Sequence, residues 1–237
     1  MIIAGRNIKR IVASGCSFAY GQGLDDPKTE SWPAQLASLM GVECVNLGLP
    51  GMGNEHVQSS IIDYFSKNTN HIENSFVIPC YSTYTRVEFP SRARKNYVNG
   101  QFTTVFNSAH TTIINGSIEP EFTRKFFENI FIPEYYYARY MRLIITLQSV
   151  LKAWEIPYLM FEGLSGNEHV KMIKDKNIIV LTEQIDRNSW LRFMTGNFDT
   201  MTSPTQRLPD GHPNANAHLE MANILHKHII NNYNVEK

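Results

Sequence analysis

"IVASGCSFAYGQGL", residues 11–24, decides the reading of this chain: an apolar run stops abruptly in small residues. Residues 8–13 carry the β-branched and apolar pattern of a buried strand, and Ser14-Gly15-Cys16-Ser17 follows without a spacer. Gly21 and Gly23 then punctuate the chain before it resumes a regular pattern. Two readings of Ser17 stand at this point. It is a small, capping residue in a turn, or a nucleophile presented at the edge of a sheet.

Moving outward, strand and helix signals alternate. "SWPAQLASLMG" (31–41) predicts a helix with Ser31 as N-cap, Pro33 in the first turn, Leu36, Leu39 and Met40 on one face and Gly41 as terminator. Residues 42–48 predict a second strand. "PGMGNEHVQSSIIDYFSK" is a loop entering a helix with Val57, Ile61 and Tyr64 or Phe65 at helical spacing, and "SFVIPCY" (75–81) a third strand. Residues 133–153 form the strongest helix signal, opened by Pro133, with Tyr140, Leu143, Ile144, Leu147, Val150 and Leu151 in one stripe. "IPYLMFE" (156–162) and "KNIIVL" (176–181) predict two more strands, and a last helix runs from about Asn214 towards Ile230. Repeated strand–helix units imply a parallel sheet covered on both faces, with ligands at the carboxyl ends of the strands.

Residues 84–132 break this rhythm. Asn99-Gly100 and Asn115-Gly116 lie between β-forming runs, the signal of one or two hairpins inserted after the third strand and hanging over the ligand rim. No repeat or linker divides the 237 residues, which read as one domain, 1–237, carrying that insertion. With 22 basic and 22 acidic residues the formal charge is zero, so neither nucleic acid nor an anionic membrane is an expected partner. Three cysteines, Cys16, Cys44 and Cys80, argue against a disulfide framework. No signal peptide and no run of about 18 apolar residues is found, and a cytoplasmic location is the expectation.

"RLPDGHPNANAHLEMA" (207–222) supplies what a serine nucleophile needs. Serine is weak unless a histidine accepts its proton, and the histidine needs an anion to fix its tautomer. Asp210 and His212 stand just before the last helix, at the opposite end of the chain from Ser17.

Four segments together resemble the SGNH (GDSL-type) hydrolase family: "SGCSFAYG", "NLGLPGMGN", "DGHPNANAHLEMA" and the helix "SWPAQLASLMG" after the first motif. The resemblance covers the chain in order apart from the insertion. It implies a three-layer α/β/α sandwich with a parallel sheet of about five strands. It makes Ser17 the nucleophile, His212 the base and Asp210 its orienter, with the Ser17 and Gly51 N–H groups in the oxyanion hole. Three departures accompany it. Cys16 replaces the aspartate beside the serine. Asp210 precedes His212 by two residues rather than three. The asparagine of the third motif is missing after the third strand, where "CYSTYTRVE" stands instead. Asn54 is the expected substitute donor, Ser82 and Thr83 the alternatives, and helix capping the competing role for Asn54.

The implied activity is hydrolysis of a small acyl ester, an O-acetylated carbohydrate above all, through an acyl-serine and without a cofactor. A catalytically weak carbohydrate-binding module and an acyltransferase using the same residues are the alternatives. Thr83 and Arg86 are further substrate-binding candidates. Arg86 would hold an anionic group if it faced the rim, while a surface ion pair with Glu88 is its default role. His218, His226 and His228 lack metal-ligand spacing, and packing is expected for His218.

Overall fold

The structure is a computed structural model, describing residues 1–90, 97–98, 101–106, 120–164, 174–191 and 196–236. In chain order the strands are β1 (Ile2–Ile3), β2 (Arg6–Asn7), β3 (Arg10–Ser14), β4 (Glu43–Asn46), β5 (Ser75–Tyr81), β6 (Val87–Pro90), β7 (Tyr97–Val98), β8 (Gln101–Phe106), β9 (Phe161–Glu162) and β10 (Val235–Glu236). The helices are α1 (Ser17–Tyr20), α2 (Pro27–Glu30), α3 (Trp32–Met40), α4 (Asn54–Lys67), α5 (Pro120–Asn129), α6 (Pro133–Ala153), α7 (Lys176–Glu183), α8 (Phe198–Met201) and α9 (Ala215–Asn232).

The central sheet is parallel, in the order β4-β3-β5-β9, with Ala13 paired to both Asn46 and Ile78. β3 and β5 are buried along their whole lengths. Their side chains alternate with period two between two cores, as a strand covered on both faces requires. Ile11, Ala13, Phe76 and Ile78 join Trp32 and Leu36 of α3 and Met221, Leu225 and Ile229 of α9. Val12, Val77 and Tyr81 join Val57, Ile61 and Phe65 of α4 and Ile144, Leu147 and Leu151 of α6. Each fully buried Val, Leu, Ile, Phe or Met among them contributes about 1.5–3 kcal/mol of transfer free energy. The result is helix, sheet, helix in three layers.

Several expectations change. "KNIIVL" is not a strand but the start of α7, because Asp175 caps it, accepting from Asn177 N at 2.8 Å, and Ile178, Leu181 and Ile185 pack at helical spacing on the α6 side. Among the described residues, the fifth strand position is held by a parallel bridge of Met160 to Trp190. Leu39, expected on the buried face of α3, is exposed. In the insertion, β6, β8 and β7 form an antiparallel sheet, with Val98 paired to Gln101 across the first Asn-Gly. Both Asn-Gly dipeptides lie outside the described residues. The insertion also contains α5, which the sequence reading lacked. Among the described residues no helix is long and apolar enough to cross a membrane.

Candidate functional site

The bend after β3 is shaped by its lack of side chains. A Cβ on Gly15 would stand 2.7 Å from Ala19 Cβ and 2.9 Å from the Cys80 carbonyl oxygen, so only glycine lets the chain turn this close to β5. Cys16 is fully buried and is the N-cap of α1, and its carbonyl accepts from Ala19 and Tyr20 N. Ser17 is therefore the first residue of a four-residue helix, which Gly21 ends at φ +86°. Among the described residues no protein group hydrogen-bonds the Ser17 hydroxyl.

The loop after β4 lies against that bend. Leu49 N donates to the Gly15 carbonyl at 3.0 Å, and Asn46 Nδ2 donates to the Ala19 carbonyl at 2.7 Å. The packing leaves a Cβ on Gly48 only 2.8 Å from Tyr20 N. Gly51 turns the loop with φ +82°. Among the described residues, neither the Ser17 N–H nor the Gly51 N–H has an acceptor. Buried His56 reaches back to the Leu47 carbonyl through Nε2 at 2.9 Å, and burial lowers its pKa.

Asn54 departs from the oxyanion role expected of it. Its Oδ1 accepts from Ser82 N at 2.8 Å, which fixes the amide's orientation, and its Nδ2 donates to the Ser82 and Thr83 carbonyls at 3.1 and 3.2 Å. Both amide hydrogens are thus spent on the segment after β5. Nor does its side chain cap α4. Gly53 is the N-cap residue, and the capping acceptor is Glu88, whose Oε1 accepts from Gly53 N at 2.8 Å and His56 N at 3.0 Å. Glu88 is accordingly buried and not half of a surface ion pair. Desolvation, followed by the nearby Glu55 charge, pushes its pKa up to about 7 against the opposing backbone bonds and Arg139. Arg86 Nη1 donates to the Met52 carbonyl at 3.2 Å. Thr83 Oγ1 lies 3.0 Å from Thr85 Oγ1 and accepts from Thr85 N, and the buried Ser82 hydroxyl has no partner among the described residues.

At the far end of the chain, His212 Nδ1 lies 3.0 Å from Asp210 Oδ2, although not along a well-directed N–H bond. The two-residue spacing works because the other oxygen, Oδ1, accepts from His212 N at 3.1 Å, turning the carboxylate back towards its own ring. Partial desolvation would raise the Asp210 pKa, but the His212 backbone N–H bond and the ring beside it outweigh it and hold the carboxyl low. The turn is fastened by Leu208 N to the His212 carbonyl, 2.7 Å, and by Arg207 Nη1 to the Gly211 carbonyl, 2.8 Å. The His212 ring meets Phe18 edge-on with centroids 5.8 Å apart. Gly23 faces Asp210, for its Cβ would lie 3.6 Å from Oδ2. The segments around residues 17 and 212 thus share one rim. His218, by contrast, is wholly buried and accepts from Trp32 N through Nδ1 at 3.0 Å. Burial, with the His212 charge as a lesser cause, lowers its pKa to about 4. Sequence reasoning missed Glu88 and His218 as long-range caps. The alternation of Arg86 and Glu88 was the one visible hint.

No protein-family model matches the sequence, and no curated protein does. Solved structures match over nearly the whole chain. TesA superposes with a TM-score of 0.52 at 10% identity, over 94% of this chain and 98% of its own. A protein described as lipolytic and of the G-D-S-L family, from Desulfitobacterium hafniense, gives 0.51 at 14% identity, over 93% and 99%. An acetyl xylan esterase from the rumen bacterium Butyrivibrio proteoclasticus gives 0.53 at 13% identity, over 95% of this chain and 64% of its own. The fold is that of the SGNH hydrolases.

Proposed function

We propose that the chain is a serine esterase acting on a small acyl ester, O-acetyl groups on carbohydrate being the substrate class. Ser17 Oγ attacks the carbonyl carbon while its proton passes to His212 Nε2, and Asp210 holds Nδ1 and stabilises the imidazolium. The tetrahedral oxyanion accepts from the Ser17 and Gly51 N–H groups. Collapse breaks the ester C–O bond, His212 returns the proton to the leaving alcohol, and an acyl-Ser17 remains. Water, deprotonated by His212, then releases the acid and restores the serine. The observation that carries this reading is the Asp210–His212 pair set against Phe18, next to a serine hydroxyl with no protein partner among the described residues. The acetyl xylan esterase among the similar structures supports the substrate class.

The committed Asn54 amide favours a second reading, a weak esterase or a carbohydrate-binding module. A hole with two donors instead of three gives up about 3–4 kcal/mol of transition-state stabilisation. Labelling with a fluorophosphonate probe, beside turnover of an aryl acetate, separates the readings. An esterase labels and turns over, with Ser17→Ala losing both and His212→Asn losing about 10⁴-fold or more in turnover. A wild-type protein that neither labels nor hydrolyses, yet binds acetylated oligosaccharide, would establish the binding module. Transfer of acetyl to an added sugar hydroxyl in preference to water would make it an acyltransferase.

A further inference from the structure

The insertion grips a single peptide unit in the loop that carries Gly51. The carbonyl of the Met52–Gly53 peptide accepts from Arg86 Nη1 at 3.2 Å, and its N–H donates to Glu88 Oε1 at 2.8 Å. Arg86 and Glu88 are two residues apart on the extended chain entering β6, so their side chains fall on the same side. A peptide plane held at both poles cannot rotate about its own axis, because rotation breaks both bonds. Space at this point is also consumed. A Cβ on Gly53 would meet Glu88 Oε1 at 3.0 Å and the Arg86 carbonyl oxygen at 3.1 Å. On the other side the same carboxylate oxygen accepts from His56 N, fastening the peptide to the first turn of α4. Behind the pair, Glu55 and Arg139 form an ion pair of 2.9 Å that faces Glu88 from α4 and α6.

We infer that Arg86 and Glu88 of the insertion are positioning residues, which fix the direction of the Gly51 N–H by clamping the Met52–Gly53 peptide. Gly51 turns the loop in the left-handed region, at φ +82°, and the clamp lies two peptide bonds beyond its N–H. The loop's other end is tied to the Ser17 bend through Leu49 N and the Gly15 carbonyl. The clamp completes the restraint from the far side. The inference rests on the esterase reading for its kinetic meaning, and on the geometry alone for its effect on the loop.

The test uses Glu88→Ala, Arg86→Ala, the double variant and Glu88→Gln, each shown by its melting transition to be folded at the assay temperature. A clamp acting on an oxyanion donor lowers kcat for an aryl acetate at least tenfold in Glu88→Ala, with KM within about threefold. Glu88→Gln retains a side-chain oxygen able to accept both N–H bonds and recovers most of that loss. Because the two residues hold one peptide, the double variant loses less than the product of the single losses. Amide hydrogen exchange supplies the second readout: residues 49–54 exchange faster in Glu88→Ala, while β3 and β5 keep their protection. Unchanged kcat and unchanged exchange in Glu88→Ala and Arg86→Ala would overturn the clamp, as would a loss confined to KM. If wild type has no esterase activity, the functional reading falls, while faster exchange in Glu88→Ala still establishes the clamp on the loop.

Discussion

The helices α3 and α4 flank opposite faces of the sheet, and both begin without help from the residue that local rules assign to the task. At α3 the cap is a neutral imidazole: His218 Nδ1 accepts from Trp32 N across 186 positions of sequence, and the Ser31 hydroxyl is buried without a partner among the described residues. At α4 the cap is a carboxyl: Glu88 Oε1 accepts from Gly53 N and His56 N. Each helix end satisfies its orphan N–H groups with a buried titratable acceptor brought by tertiary packing. The difference lies in sign. Burial favours the neutral form in both cases, which means losing a proton for histidine and keeping one for glutamate.

That contrast yields opposite pH responses. The folded-state pKa of His218, about 4, lies below the ordinary value, so the folded chain binds fewer protons than the unfolded one between about 4 and 6.5. Its contribution is full above that window and is lost as pH falls through it, to the order of 3 kcal/mol. The folded-state pKa of Glu88, about 7, lies above the ordinary 4.5, so the folded chain binds more protons there. Its contribution is full at about 4.5 and below, and is lost as pH rises towards 7, by a similar amount. Between about 4.5 and 6.5 the two slopes oppose each other.

The sharpest way to break the comparison is His218→Ala. It removes the α3 cap and opens a void beneath Phe198, whose ring centroid lies 5.6 Å from that of His218. A loss of about 2–4 kcal/mol at pH 7 is expected by denaturant unfolding, shrinking towards pH 4, where wild type has forfeited the cap itself. A loss independent of pH would mean that packing alone matters there. Next in size is the pair of slopes. Relative to wild type, Glu88→Gln makes stability rise more steeply with pH between about 4.5 and 7, and His218→Gln makes it rise less steeply between about 4 and 6.5. Unfolding curves at four or five pH values decide this, and parallel slopes in the two variants would refute the opposition of signs. Smallest is Ser31→Ala, expected within about 0.5 kcal/mol of wild type or slightly above it, because its buried hydroxyl neither caps α3 nor finds another partner among the described residues. A loss of more than about 1 kcal/mol would restore Ser31 as the working cap.

The same division runs through the candidate site. The places of Ser17 at the strand end, of Asp210 beside His212 and of Gly51 in the second loop were legible because each sits in a short run whose geometry is nearly local. Asn54 was not, since an amide's role depends on which carbonyls reach it, and those of Ser82 and Thr83 do. "KNIIVL" was misread for a related reason. Four apolar residues in a row suit a buried strand or one turn of a helix, and the arbiter is the surface of α6 on which Ile178 and Leu181 land.

By itself the sequence determined that β3 and β5 are buried strands of a sheet covered on both faces, most of the buried stripe of α6 and the glycine bend before Ser17. All of these follow from the periods of strand and helix and from the space a Cβ occupies. Only the tertiary structure decided which group caps α3 and α4, where the Asn54 amide spends its hydrogens and how the insertion holds the Met52–Gly53 peptide. Those are matters of direction and distance between residues far apart in the chain. A buried N–H takes whichever acceptor the packed elements bring within about 3 Å, and residue type alone does not say which one arrives.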